Sequence, residues 1–154
     1  MTEVSVDRLI KAAPESLYRL VSDVTRMSDW SPETTSCRWL GGASGPAVGA
    51  RFRGANRANG RRWSTTCTVV SADEGRRFAF DVAAGPFPVA RWTYEFAPED
   101  GGCRVTERWQ DRRQRWMQVL SSPVTGVRDR SAHNRVTMLA TLENLPRFAE
   151  STSD

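Results

Sequence analysis

Glu107 stands between Val105 and Trp109 in a stretch where every second residue, from Cys103 to Trp109, is apolar apart from the carboxylate itself. Alternate side chains of an extended backbone leave the same face, so this spacing carries a carboxyl group onto the covered side of a strand. Burial without a partner disfavours the ionised form, which suits a general acid or base. The same placement also fits a structural hydrogen bond, a salt bridge to an arginine such as Arg135, or a wet position at the rim of a cavity. His133 is the sole histidine and the one side chain that ordinarily titrates near neutrality. It opens a helix in a polar run, where proton transfer competes with plain solvent exposure. Tyr94, with Tyr18 and neighbouring arginines, can orient a phenolic or enolic substrate, or serve as a core aromatic with a satisfied hydroxyl.

Other chemistry is poorly provided for. The three cysteines, Cys37, Cys67 and Cys103, are odd in number and far apart, and with one histidine they supply neither a zinc set nor a two-histidine metal site. No metal and no cofactor are expected. The glycine-rich stretch 41–49 has no following Lys-Ser or Lys-Thr and no strand-turn-helix context, so it reads as a flexible hairpin and not a phosphate cradle. The net charge of +4 comes from scattered arginines interleaved with acids, which argues for a solvated face and against a nucleic-acid partner.

The elements that must position these groups follow from periodicity. At 154 residues the chain suits one domain spanning 1–154. Residues 4–10 alternate as a first strand; Pro14 opens a helix with apolar Leu17, Tyr18, Leu20, Val21 and Val24; residues 23–29 form a second short helix. Six further strands are expected at 35–40, 50–56, 61–71, 77–83, 89–96 and 104–110, joined by short turns as an antiparallel meander. Residues 129–148 are the one long helical stretch, with Met138, Leu142 and Leu145 along one side, Val136, Leu139 and Ala140 broadening the sector, and Pro146 ending or kinking it. The fold class is α+β: a curved seven-stranded antiparallel sheet gripping a long C-terminal helix, with two short helices after the first strand.

A sheet lined with large rings under one helix is prone to enclose an apolar cavity, although rings that meet one another would fill it. Trp30, Trp63, Phe78, Phe80, Trp92, Tyr94, Trp109 and Trp116 are the candidate ligand contacts, with Met117 and Met138 as adaptable fillers and Leu142 beside them. Some of these are plain core. The segment 116–120, followed by Ser-Ser-Pro, is a candidate lid or a homodimer contact. No secretory signal opens the sequence and no apolar run approaches a bilayer span, so a cytoplasmic protein with reduced thiols and no membrane insertion is expected.

The order strand, two short helices, six-stranded meander and long helix resembles the START-like helix-grip superfamily, within it the bacterial polyketide cyclase/dehydrase-like branch called SRPBCC. The resemblance is carried by Ile10-Lys11-Ala12-Ala13-Pro14-Glu15, by Trp30-Ser31-Pro32-Glu33, by Trp92-Thr93-Tyr94-Glu95-Phe96, by Gly101-Gly102-Cys103-Arg104-Val105-Thr106-Glu107, and by His133-Asn134-Arg135 leading into Met138 and Leu142. It implies a ligand held between the long helix and the concave sheet. Such a shell hosts carriers, receptors and enzymes alike. The leading expectation is a carrier or sensor of a lipid, polyketide or aromatic metabolite; the alternatives are a polyketide cyclase/dehydrase-like enzyme using Glu107, Tyr94 and His133, and an interaction module with a filled core.

Overall fold

Seven strands form one antiparallel sheet in the order β1-β7-β6-β5-β4-β3-β2. They are β1 (Glu3–Ile10), β2 (Thr34–Trp39), β3 (Arg51–Ala58), β4 (Arg61–Asp73), β5 (Arg77–Ala84), β6 (Phe87–Glu99) and β7 (Gly102–Asp111). The structure is a computed structural model and describes residues 2–127 and 129–149; the remainder of the expected 1–154 span lies outside the described residues. Two hairpins set the register. Asn59-Gly60 joins β3 to β4 and Asp100-Gly101 joins β6 to β7, each with both residues at positive φ (50° and 75°, 46° and 77°). Two-residue loops of this kind match the right-handed twist of their strands, and they pair Ala58 with Arg61 and Glu99 with Gly102. The strands therefore run further than side-chain alternation alone marks, up to 13 residues in β4 and β6.

The N-terminal strand pairs with β7, not with β2, so the chain must cross from one edge of the sheet to the other before the meander begins. Helix α1 (Pro14–Ser22), a single 3-10 turn (Val24–Arg26) and α2 (Met27–Trp30) make that crossing. The expected helix over 23–29 is thus divided: the Asp23 side chain accepts from the Thr25 backbone N–H at 3.2 Å and ends one helix while starting the next turn. Gly102 is required where β7 begins beside β1, because a Cβ there would lie 2.4 Å from the Ile10 carbonyl oxygen.

Two further helices follow β7, α3 (Arg115–Thr125) and α4 (Arg130–Ala149). The second buries Asn134, Met138, Thr141, Leu142 and Leu145 against the sheet. Val136 and Leu139 do not broaden that face: they are 68% and 50% exposed, because the helix touches the sheet along one narrow stripe. Nor does Pro146 end the helix, which continues to Ala149. Sitting in the last turn, the proline forfeits one hydrogen bond where few remain to be lost. No described helix is long and apolar enough to cross a membrane.

The core is solid at one end. Tyr18 of α1 meets Phe78 and Phe96 edge-on with ring centroids 6.5 and 6.0 Å apart, and Asn144 of α4 donates to the Trp30 carbonyl at 3.2 Å. The opposite, convex face holds ion pairs: Arg91 and Arg112 share Asp81, Arg104 joins Glu99 to Asp7, and Arg108 pairs with Glu95.

Candidate functional site

At the other end the sheet, α3 and the first half of α4 enclose a cavity of about 440 Å³. Strand parity accounts for its walls. Phe52, Cys67, Phe80, Trp92 and Trp109 rise from the concave face of consecutive strands, and Met138 descends from α4 to meet them. Trp63 and Trp116 stand nearer the mouth, and Met117 and Leu120 of α3 close one side. The core is therefore not filled at this end.

Eight of the expected contacts line this space: Trp63, Phe80, Trp92, Tyr94, Trp109, Trp116, Met117 and Met138. Trp30, Phe78 and Leu142 do not. They share a face with the lining residues but lie further along their elements, at the solid end. Phe78 is two residues before Phe80 and is capped by Tyr18; Leu142 is one helical turn beyond Met138; Trp30 meets the outer edge of Tyr94 at 6.1 Å. All three are fully buried by protein.

Glu107 lies in the cavity wall and is 1% exposed. It has neither of the partners envisaged for it: Arg135 is exposed on α4, and both carboxyl oxygens are buried without a hydrogen-bond partner among the described residues. Burial pushes its pKa up to about 8, opposed in part by the Tyr94 hydroxyl. Tyr94 is its direct cross-strand neighbour and also lines the cavity. The hydroxyl is near enough to couple the two titrations without meeting hydrogen-bond geometry. Burial, and then Glu107, drive the Tyr94 pKa well above its ordinary value.

His133 is not a free helix-start residue. Its Nε2 lies 2.8 Å from Glu33 Oε2, and Arg130 Nη1 donates to both Glu33 oxygens and, at 3.3 Å, to Asn134 Oδ1. The Arg130 guanidinium also stands 5.7 Å from the centroid of the Trp63 ring. Glu33, Arg130 and Asn134 line the cavity, whereas His133 backs Glu33 from outside the lining. His133 meets the cavity through its contact with Glu33. Sequence reasoning missed Glu33 and Arg130, and the only hint was the acid following Trp30-Ser31-Pro32.

The segment 116–120, by sequence a candidate lid or homodimer contact, lies within helix α3. Its start is held by Arg113, which binds Asp111 at 2.7 Å and Ser121 at 2.7 Å, and by Trp116 packed edge-on against Phe87 with centroids 5.1 Å apart. Just past its end, Asn59 of the β3–β4 turn donates to the Gly126 carbonyl at 2.9 Å. The helix is a strap fastened at both ends over an apolar space.

Cys37 and Cys67 belong to the same wall. Burial pushes their thiols up to about 11 and about 12, so both are small protonated wall groups and not nucleophiles. Among the described residues no cluster of three His, Cys, Asp or Glu side chains is arranged to hold a metal ion.

A family model described as polyketide cyclase / dehydrase and lipid transport matches residues 1–142. The chain belongs to this family. Solved structures share the fold at low identity. TTHA0849 from Thermus thermophilus is 23% identical with a TM-score of 0.71, over 99% of this chain and 100% of that one. The ginseng major latex-like protein 151 from Panax ginseng is 14% identical with a TM-score of 0.73, over 96% and 97%. The di-domain ARO/CYC StfQ from the steffimycin biosynthetic pathway is 14% identical with a TM-score of 0.73; 97% of this chain spans 50% of that protein. No curated protein matches the sequence.

Proposed function

We propose that the protein is a single-domain carrier or sensor that holds one small hydrophobic molecule, a lipid, polyketide or aromatic metabolite, between α4 and the concave sheet. The observation that carries this reading is the cavity itself. Its volume of about 440 Å³ falls in the range of roughly 300–1,000 Å³ typical of small-molecule sites, and its surface is mainly apolar, with aromatic rings set among polar groups such as Asn56, Asn134 and Thr141. Membership of a family described by both cyclisation and lipid transport agrees with such a ligand. Three free thiols, two of them fully buried, suit a reducing cytoplasm.

Native mass spectrometry and tryptophan-fluorescence titration with fatty acids and flat aromatic ketones and phenols test the reading. One-to-one uptake quenching the cavity tryptophans supports it. A protein silent across the whole panel overturns it.

A second reading, an enzyme of the cyclase/dehydrase kind, is favoured by one observation: the Glu107 carboxyl group and the Tyr94 phenol are cross-strand neighbours, both buried in the cavity wall, a pairing suited to general acid–base chemistry. The fold is shared with an ARO/CYC protein. Turnover that survives Glu107→Gln unchanged would remove this residue from any such reaction.

A further inference from the structure

Resting on the cavity reading, we propose that Glu107 and Tyr94 form a paired donor site for one oxygen atom of the ligand, so that the bound molecule is a flat apolar compound ending in a ketone, enone or enol oxygen. Tyr94 and Glu107 are register partners on β6 and β7. Directly opposed residues on one sheet face hold their Cβ atoms about 4.5–5.5 Å apart, which lets two polar tips converge on one atom between them. Both residues line the cavity, and both are at least nine-tenths buried.

The protonation state follows from the surroundings. Opposite Glu107, β1 contributes Val6 and β6 contributes Tyr94, while β7 flanks it with Val105 and Trp109. None of these is a cation. The charged groups elsewhere in the wall are already engaged: Glu33 with Arg130 and His133, and Arg113 with Asp111. An ionised carboxylate buried with no counter-charge is strongly disfavoured, so the carboxyl group keeps its proton and presents an O–H, in line with the upward shift caused by burial.

Two O–H donors facing one point match an oxygen with two lone pairs. A carbonyl oxygen satisfies both, and an enol or enolate oxygen does so as charge develops on it. A hydrocarbon leaves both hydroxyl groups dry and unpaired, and a site built around buried hydrogen-bonding groups rejects the analogue that lacks them. An ammonium group offers only donors to donors and would need Glu107 ionised.

Equilibrium dialysis with three β-substituted naphthalenes of nearly equal size, acetylnaphthalene, ethylnaphthalene and naphthylethylamine, separates these cases. The ketone should bind the native protein about tenfold more tightly than the hydrocarbon. Tyr94→Phe and Glu107→Leu should each reduce that preference to within about twofold without weakening the hydrocarbon, and Glu107→Gln, which keeps an N–H donor, should retain part of it. The carbonyl stretch of the bound ketone should lie at lower wavenumber in the native protein and return toward its free value in Tyr94→Phe and Glu107→Leu. Glu107→Leu replaces an unpartnered acid with an apolar side chain of similar size, so folding is not at stake. Equal binding of ketone and hydrocarbon, or tightest binding of the amine, overturns the donor pair while leaving the cavity reading intact. If none of the three binds, the donor pair is overturned, while the cavity reading stands or falls on the wider panel that includes fatty acids.

Discussion

Arg130 and Glu33 face each other at the cavity mouth across a separation of 97 residues, with Arg130 Nη1 3.0 and 2.9 Å from the two carboxylate oxygens. The pair ties the first turn of α4 to the segment leading into β2, and its side chains are only 13% and 19% exposed. Breaking a pair this deep leaves a charge without its partner, so Glu33→Gln or Arg130→Met should each cost about 1–3 kcal/mol in urea unfolding. The double variant should cost less than the sum, with a coupling of about 1 kcal/mol. Additive losses would show that the contact contributes nothing to anchoring the helix.

Glu107 should make the protein less stable as pH rises. Its ordinary value of 4.5 is raised to about 8 in the folded state by burial. The favourable contribution of its proton is complete below the unfolded value and is lost as pH climbs through the folded one, since only the folded state still holds that proton in between. Tyr94, its nearest titrating neighbour, is shifted upward and stays neutral throughout this window. Unfolding free energies from urea titrations between about pH 5 and about pH 9 should therefore fall for the native protein by roughly 3–5 kcal/mol more than for Glu107→Gln. Parallel curves for the two proteins would mean that Glu107 is ionised or solvated in the folded state.

Parity was enough to place Glu107 among buried rings, because the alternation of 103–109 is unbroken and a strand offers only two faces. It was not enough to separate Phe80, in the cavity, from Phe78, in solid core. They share a face of β5, and the difference lies in whether α1 delivers Tyr18 above the ring. Trp30 and Leu142 are misplaced for the same reason: face is a property of local spacing, whereas depth along the sheet depends on which helix lands where. Glu33 closes the Trp30-Ser31-Pro32-Glu33 stretch but Arg130 left no local trace, since their meeting is set by the crossover of α1 and α2 to the far edge. In α3, Met117, Leu120 and Val124 recur at helical spacing and all line the cavity. The stretch is short and carries Pro123 inside it, so it offers less periodicity than α4, and 116–120 reads by sequence as a lid or a homodimer contact.

The strap formed by α3 should govern how fast ligand leaves. Asn59 makes its contact to Gly126 from a left-handed backbone conformation, φ 50°. Glycine adopts that conformation without strain, so Asn59→Gly removes the amide tether while sparing the β3–β4 turn. Stopped-flow displacement should show release accelerated about threefold to tenfold, consistent with loss of one hydrogen bond, and unfolding stability lowered by no more than about 1 kcal/mol. Unchanged release would mean that ligand passes elsewhere, or that α3 opens from its Trp116 end.

Gly54 gives the most direct control over the cavity, because it is a buried strand residue whose missing side chain is part of the empty space. A Cβ built there would lie 3.6 Å from Cys37 Sγ and 3.7 Å from Thr65 Oγ1, both ordinary contacts. The methyl of Gly54→Ala should thus be accepted with binding changed by less than about threefold. Gly54→Leu carries its branched end past those neighbours and into the hollow. Filling an apolar void while removing a glycine from a strand favours the folded state, so its melting temperature should hold or rise. Ligand uptake should weaken at least about tenfold for want of room. Stability and binding would then move in opposite directions, which damage to the fold cannot produce. If Gly54→Leu takes up the panel as the native protein does, the ligand lies outside the space between β3 and α4.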